Sequence, residues 1–539
     1  MLGTGEDAYV VPRGVVRIGV GGRLTSVEEV YATDADGNVS TTPTPLGAGL
    51  ALDALGAAQI PALRTVQAGL RSLTGLGDLS LSLGRTRGSA SADVTTTPLT
   101  LDVGLAPRLS LRVMAPYVVT RTSVSFDVPG GADGANVGFN PALVAGGARD
   151  SNAALATQLR TAGEVLGGAV AACDADPAGA GCAALLARRA EALALVGSSD
   201  AFAAGVASIY GTGDGAPATF VPLEGDEAHL AVRARVGTLR DAYASFGVTD
   251  VIAIEGPAGA RARASYGDVQ GILTDPAYGL QVDSLTSLVE RAHFGDVEVG
   301  AKLLLLDSFG SEARRLAATG VGFRASVTAL LRLGTGQPAL PDDLLDLGRG
   351  DGQNDIEVQP AIDLVFGRRL WASVVGRYGI QQKDEQLVRI PERAGETFVP
   401  RYARQLVDRK LGGYYAVEVT PRLVLGEYFA LAAQYAYAHK AEDEYTGTFV
   451  VDSATTGFGE VTLDAATLGA GSERSEHRVG GGITYSTLGA VQRGRGRVPL
   501  EITYQYLRTA RGSGGRLPRQ ATSQIELRLY TRLFGRGRR

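Results

Sequence analysis

The sequence predicts an all-β transmembrane antiparallel β-barrel of about twelve strands, within a range of about ten to fourteen, carrying a mainly α-helical extracellular insertion. Three observations point there. Runs of strict apolar/polar alternation recur through most of the chain. No stretch approaches about 18 consecutive apolar residues, so a membrane-spanning helix is excluded and a closed barrel is the remaining way across a bilayer. The composition is the third: Gly is 73 of 539 residues, Tyr 19 and Met 2, and mean hydropathy is +0.06, as expected when lipid-facing and lumen-facing positions average out.

The alternation is clearest towards the C-terminus. In "SQIELRLYTRLF", Ile525, Leu527 and Leu529 oppose Gln524, Glu526 and Arg528. In "PLEITYQYLR", Leu500, Ile502, Tyr504 and Tyr506 oppose Glu501, Thr503 and Gln505. In "DIEVQPAIDLVF", Ile356, Val358, Ile362, Leu364 and Phe366 oppose Glu357, Gln359 and Asp363. The same parity puts Asp296 on a polar face. A base on the lipid face at mid-membrane costs about 2 to 4 kcal/mol, so turning half of the polar-face charges outward would cost on the order of 20 kcal/mol, more than a domain's stability. The polar faces therefore point inward. The candidate lumen-lining residues are Arg17, Asp102, Arg112, Glu298, Lys302, Arg324, Glu357, Asp363, Arg377, Lys410, Glu418, Arg478, Glu501, Glu526 and Arg528. Apolar faces built from Ala301, Gly413, Tyr415, Ala433, Tyr435 and Tyr437 suit a lipid-facing wall with aromatic belts better than a packed core.

In chain order the expected strands are 14–24, 78–106, 108–127, 293–307, 317–334, 355–366, 369–384, 404–420, 422–446, 474–489, 498–511 and 520–534. An even number returns both termini to the periplasmic side. "LAPRLS", "VFGRRLW" and "VTPRLV" read as short periplasmic turns, each with a Pro or Gly at the reversal, and "LDSFGSEARRL" and "LGAVQRGRGRVPL" as longer versions. Pro360 sits badly in a paired strand and predicts a bulge. Residues 1–127 thus hold three barrel strands with a helical loop at 43–75 interrupted by Pro61, 128–292 form the helical insertion, and 293–539 carry the remaining strands. The insertion contains two Ala-rich helices and a third segment, "EGDEAHLAVRARVGTLRDAYASFG", with Leu230, Leu239, Tyr243 and Phe246 expected along one stripe. Cys173 and Cys182 flank the junction of the first two helices; their spacing fits a disulfide in an oxidising compartment, two reduced thiols being the competing reading. The opening "MLGTGEDAYVVPRG" lacks a basic n-region and an apolar h-region, so a signal peptide is expected to have been removed or never present.

Lys+Arg (52) nearly balances Asp+Glu (57), which argues against nucleic-acid binding and against strong ion selectivity. The histidines, His229, His293, His439 and His477, are scattered, and no H-E-x-x-H or C-x-x-C spacing occurs, so neither a metal nor a cofactor is expected. A Ser–His hydrolase site around His477 competes with a plain interfacial or lumenal histidine, the favoured reading. "GRGDGQND" contains the Arg349-Gly350-Asp351 tripeptide of integrin ligands, read as chance, and the acids Asp346, Asp351 and Asp355 miss the EF-hand order for calcium.

"GLGDLSLSLG" (75–84) and "FGDVEVGAKLLLLD" (294–307), with the Pro-Arg-Leu hairpins, resemble outer-membrane barrel proteins of the aromatic-degradation (phenol meta-pathway) type and the long-chain fatty acid and hydrocarbon transporters. "GFNPAL", with Asn140, Pro141 and Ala142, is similar to the Asn-Pro-Ala of the fatty acid transporters. That family carries this motif near the N-terminus in a hatch and usually has more strands; here it precedes the helical insertion. The resemblance implies passage of hydrophobic compounds. The expected function is a passive channel or importer of small or hydrophobic compounds in the bacterial outer membrane, with no enzymatic activity, in contact with lipid and lipopolysaccharide. The alternative is a non-transporting anchor whose helical domain binds a partner while the lumen is plugged.

Overall fold

The computed structural model describes residues 6–31, 40–129, 134–211, 216–285, 288–310 and 320–532. Twelve long strands form one antiparallel ring: β1 (Val15–Tyr31), β2 (Arg87–Ala106), β3 (Leu109–Asp127), β4 (Val297–Asp307), β5 (Val321–Leu333), β6 (Asp355–Phe366), β7 (Leu370–Gln381), β8 (Tyr414–Leu425), β9 (Phe429–Lys440), β10 (Arg474–Ser486), β11 (Leu500–Ser513) and β12 (Leu517–Arg532). Each pairs with its sequence neighbours. β1 closes the ring by pairing with both β2 and β12. A short strand, Leu288–Phe294, precedes β4 on the same line and also pairs with β3.

The burial pattern inverts that of a soluble sandwich. Along β6 every apolar residue at an even position is exposed and every polar residue at an odd position is buried: Ile356 is 48% and Ile362 46% exposed, while Glu357 is 3% and Asp363 2%. Exposed leucines, isoleucines and valines cover the ring's outer face. Lipid is the medium in which that face is stable. Aromatic side chains mark its two edges. Phe429 packs on Tyr485 and Tyr428 on Tyr485 at one edge, and Tyr415, Tyr437, His439 and His477 cluster at the other. Phe429 and His439 both lie on β9, roughly 34 Å apart along the strand and roughly 25 Å apart in height at the usual tilt. That is the height of a lipid-facing band.

Several elements differ from expectation. "LAPRLS" does turn, at Pro107 and Arg108 between β2 and β3, but "VTPRLV" lies inside β8, where Pro421 sits opposite Ala372. The ladder between β8 and β9 skips Thr420 and Pro421, so the missing proline N–H falls in a gap. "VFGRRLW" does turn, at Gly367, whereas the reversal after β8 is made at Gly426; their φ values of +62° and +69° are a conformation only glycine takes without strain. Pro360 causes no bulge: the β6–β7 ladder omits Gln359 and Pro360 and resumes in the same register. Pro98 and Pro116 face each other across β2 and β3. "GLGDLSLSLG" is not a strand; β2 begins only at Arg87. Residues 404–420 divide, Arg404–Lys410 joining a separate three-stranded sheet with Asp384–Arg389 and Glu444–Thr446. Most of "LDSFGSEARRL" lies outside the described residues.

The long connections stack on the end of the ring opposite the short turns. α1 (Pro61–Thr74), α2 (Ala148–Ala175), α3 (Cys182–Ala187), α4 (Arg189–Tyr210), α5 (Glu227–Ala244) and α6 (Tyr266–Thr274) share one apolar core that reaches Val124 and Phe126 at the end of β3. Pro61 starts α1 rather than interrupting it, because at the first helical position its absent N–H costs nothing. On α5 the buried stripe is Ala228, Val232, Val236, Leu239 and Tyr243, and Leu230 is exposed, since steps of three and four residues keep one face. α4 is long and apolar enough to cross a membrane by length and composition, which consecutive-run counting misses; here it packs along α2. The Cys173–Cys182 disulfide closes the turn between α2 and α3.

Candidate functional site: the charged barrel interior

Inside the ring the polar faces converge in layers. Near the short-turn mouth, the Asp102 carboxylate accepts from Arg17 Nε at 3.0 Å and from Arg112 Nε at 2.9 Å. Arg112 also reaches Glu6 at 2.5 Å, and Lys302 lies 3.7 Å from the same carboxylate. Arg422 stands 3.8 Å from Asp7, Lys302 donates to the Asp7 carbonyl, and Arg324 lies 5.5 Å from the centre of the Tyr9 ring. Glu6, Asp7 and Tyr9 precede β1. They contact bases on β3, β4, β5 and β8, and Ala8, with no exposure at all, packs on Ala361 and Val375. The chain's own N-terminal segment therefore enters this mouth.

A second layer lies nearer the other end. Arg332 bridges Glu298 at 3.0 Å and Asp355 at 2.8 Å, and Arg377 bridges Glu357 at 3.1 Å. Tyr414 donates to Glu357, and Gln359 donates to it at 2.5 Å. Back at the short-turn level, Asp363 beside Ala361 accepts from Ser373 at 2.7 Å, and elsewhere around the ring Glu418 accepts from Gln434 at 2.5 Å and Glu476 from Thr509 at 2.6 Å. Arg528 holds Glu526 through two bonds of 2.8 and 2.9 Å, and Glu501 accepts from Tyr530 at 2.6 Å. Fixed opposite charges at this separation stabilise a polar interior without water at every position.

All the candidate lumen residues but one turn inward. Lys410 does not: it ends the outer strand Arg404–Lys410, half exposed, with its ammonium 3.6 Å from Glu444. The error comes from reading 404–420 as one continuous strand. Asp296 lies in the break before β4, where it accepts from the backbone N–H groups of Gly336 and Asp351 and pins an outer loop. Parity could have found Arg332 and Glu476, which share the faces of Arg324 and Arg478. It could not have found Glu6 and Asp7, which belong to no strand.

Other sequence motifs resolve into structure. Arg349 of the Arg-Gly-Asp tripeptide is 3% exposed and paired with Asp346, so it offers no ligand surface. Asp355 is committed to Arg332, and among the described residues no His, Cys, Asp and Glu cluster could hold a metal. His477 lies in the outer aromatic belt, with its Nδ1 2.8 Å from the Tyr435 hydroxyl. Asn140 is buried in the helical body, where its side chain accepts from Ala142 N–H and donates to the carbonyls of Ile209 and Ala218.

Two hollows complete the picture. One of about 500 Å³ lies inside the ring in its outer half, lined by residues of β1, β5, β7 to β10 and β12. The other, of about 520 Å³, opens between the helical body and the outer sheet beside Arg401 and Arg404. Asp342 ties that junction together, accepting from Arg389 at 2.8 Å, Arg401 at 2.5 Å and Arg404 at 2.8 Å. Burial pushes the Asp342 carboxyl up, but the hydrogen bonds from Arg401 and Arg389 and their charge outweigh it, and its pKa is lowered.

No family model and no curated protein matches the sequence. Among solved structures, the fold is similar to an outer membrane channel from Pseudomonas putida F1, at 10% identity over 98% of this chain and 100% of that one, with a TM-score of 0.42. It is also similar to the Pseudomonas putida toluene transporter TodX, at 10% identity over 97% and 90% with a TM-score of 0.25, and to the beta domain of the Bordetella autotransporter BrkA, at 7% identity over 95% and 99% with a TM-score of 0.27. These superpositions are loose and span proteins of different activity, so function is read from this chain's own geometry.

Proposed function

We propose that the chain is a bacterial outer-membrane channel that admits small organic compounds, with its N-terminal segment narrowing the short-turn mouth. The observation that carries the reading is the hollow of about 500 Å³ within a charged ring: a barrel serving only as an anchor has no need of an interior left unfilled. The helical body and outer sheet form the approach from outside, and their junction cleft is a vestibule. A second reading, a non-transporting anchor that presents the helical body to a partner, is favoured by one observation, the N-terminal residues seated among Arg112, Lys302 and Arg422.

Planar-bilayer recording separates the two. The intact protein is expected to give small conductance steps, and a variant lacking residues 2–12 larger and longer ones. Silence from both forms, each folded in the membrane, would leave the anchor reading.

A further inference from the structure

The hollow inside the ring is not neutral in what it presents. Six cationic side chains line it, among them Arg23, Arg377, Arg474 and Arg478, against two carboxylates, Asp351 and Glu476. The acids that hold Arg332 and Arg377, namely Glu298, Asp355 and Glu357, are not part of its lining; they sit behind the bases, in the wall. Arg332 and Arg377 therefore border the space while the acids that hold them do not, and only Arg478 has its ionic partner, Glu476 at 3.9 Å, in the same lining among the described residues.

Their hydrogen bonding is incomplete on that side. Arg377 and Arg478 are each 7% exposed, yet Nε and Nη2 of Arg377 and Nε of Arg478 have no hydrogen-bond partner, the Arg478 Nε standing 3.9 Å from Glu476, beyond hydrogen-bond reach. Arg23 donates to the neutral amide of Gln524 at 3.3 Å. Buried guanidinium N–H groups left without acceptors are costly, and an anion entering the hollow supplies the acceptors they lack. The wall also has an apolar part: Leu411, Ala416, Ala438, Leu517 and Pro518 border the same space with the Tyr414 ring beside them, interleaved with the neutral polar side chains of Thr25, Gln381, Gln520 and Thr522. An inorganic anion would leave that surface wetted and unused, and a neutral hydrocarbon would leave the guanidinium groups orphaned.

We propose that this cavity binds an organic carboxylate with a compact apolar body, an arenecarboxylate being the type, as a station on the route through the barrel. The proposal rests on the channel reading and names its substrate class. A carboxylate takes the orphaned donors of Arg377 and Arg478 in a fork geometry, Arg23 supplies further charge, and the ring lies against the leucines and Tyr414.

Isothermal titration of the full-length protein in detergent, with benzoate, benzyl alcohol and inorganic phosphate as probes, tests it. Benzoate is expected to bind at least about tenfold more tightly than either of the others, with an affinity that falls as salt rises. Arg23→Gln removes a charge whose hydrogen bond is to a neutral amide, and is expected to weaken benzoate about tenfold, while the barrel keeps its unboiled electrophoretic mobility. Arg377→Gln and Arg478→Gln act in the same direction. Benzyl alcohol binding as well as benzoate, phosphate binding as well as benzoate, or an Arg23→Gln protein that is folded and binds benzoate undiminished would each overturn the proposal. Liposome uptake of benzoate distinguishes the two levels. Binding without uptake sinks the channel and keeps the site, and conductance without benzoate binding sinks the site alone.

Discussion

At the residue scale, a side chain's position in this wall is decided by its parity and not by its hydrophobicity alone. Leu527 faces outward, flanked by Val20 on β1 and Ile502 on β11. Leu527→Arg is expected to lower stability in lipid vesicles by about 2 to 4 kcal/mol, measured by denaturant unfolding. From sequence, Arg528→Leu would have served as the mild control. The structure alters that expectation, because Arg528 is tied to Glu526 and its removal leaves a carboxylate uncompensated in the interior. Glu526→Gln together with Arg528→Leu is the fair comparison, and equal costs for it and for Leu527→Arg would mean the two faces had been exchanged. The same scale separates two near-identical stretches, "LAPRLS" and "VTPRLV". Pro107 turns and Pro421 does not, because the reversal after β8 belongs to a glycine at positive φ five residues further on. Proline tolerates both settings, whereas the left-handed backbone admits little but glycine.

At the element scale, the helical body is held by devices that the barrel does not share. The disulfide between α2 and α3 restrains a loop with a sequence separation of 9. Replacing Cys173 and Cys182 together by Ser is expected to cost the helical body about 2 to 3 kcal/mol, seen as faster hydrogen exchange in α2 and α4 with β-strand protection unchanged. The junction with the outer sheet responds to acid. Folding lowers the Asp342 pKa, so its contribution is complete above the ordinary carboxylate range and is lost as pH falls through the lowered value. Asp283, which donates its backbone N–H to the Asp342 carbonyl, acts oppositely, since burial and Asp343 raise its pKa and its ionisation opposes folding. Protease nicking between residues 384 and 410 is therefore expected to rise only below about pH 4, and Asp342→Asn is expected to show that susceptibility already at neutral pH.

At the scale of the whole molecule, the ring was legible because lipid outside and charge inside impose a period of two that resumes after every long connection. Strand number and the inward set followed from that period, Lys410 excepted. The helical body was legible as a block because its alanine-rich segments break the period, while the burial stripe of α5 required knowing what it packs against. Neither hollow was legible: each is assembled from residues hundreds of positions apart, and a parity rule says which way a side chain points but not whether the space beyond it is filled. The N-terminal segment escaped for a related reason, since its partners lie on four strands and no local pattern announces them.

That segment also constrains how the molecule can come together. β1 zips to β12 across nearly the full length of the chain, so the cylinder is sealed only when the last strand arrives. Residues 6 to 9 find their partners on β3, β4, β5 and β8, so their seat exists only once those strands stand together in one ring. Assembly is thus ordered by topology, with the leading end settling into its circle of bases only after those strands are in place.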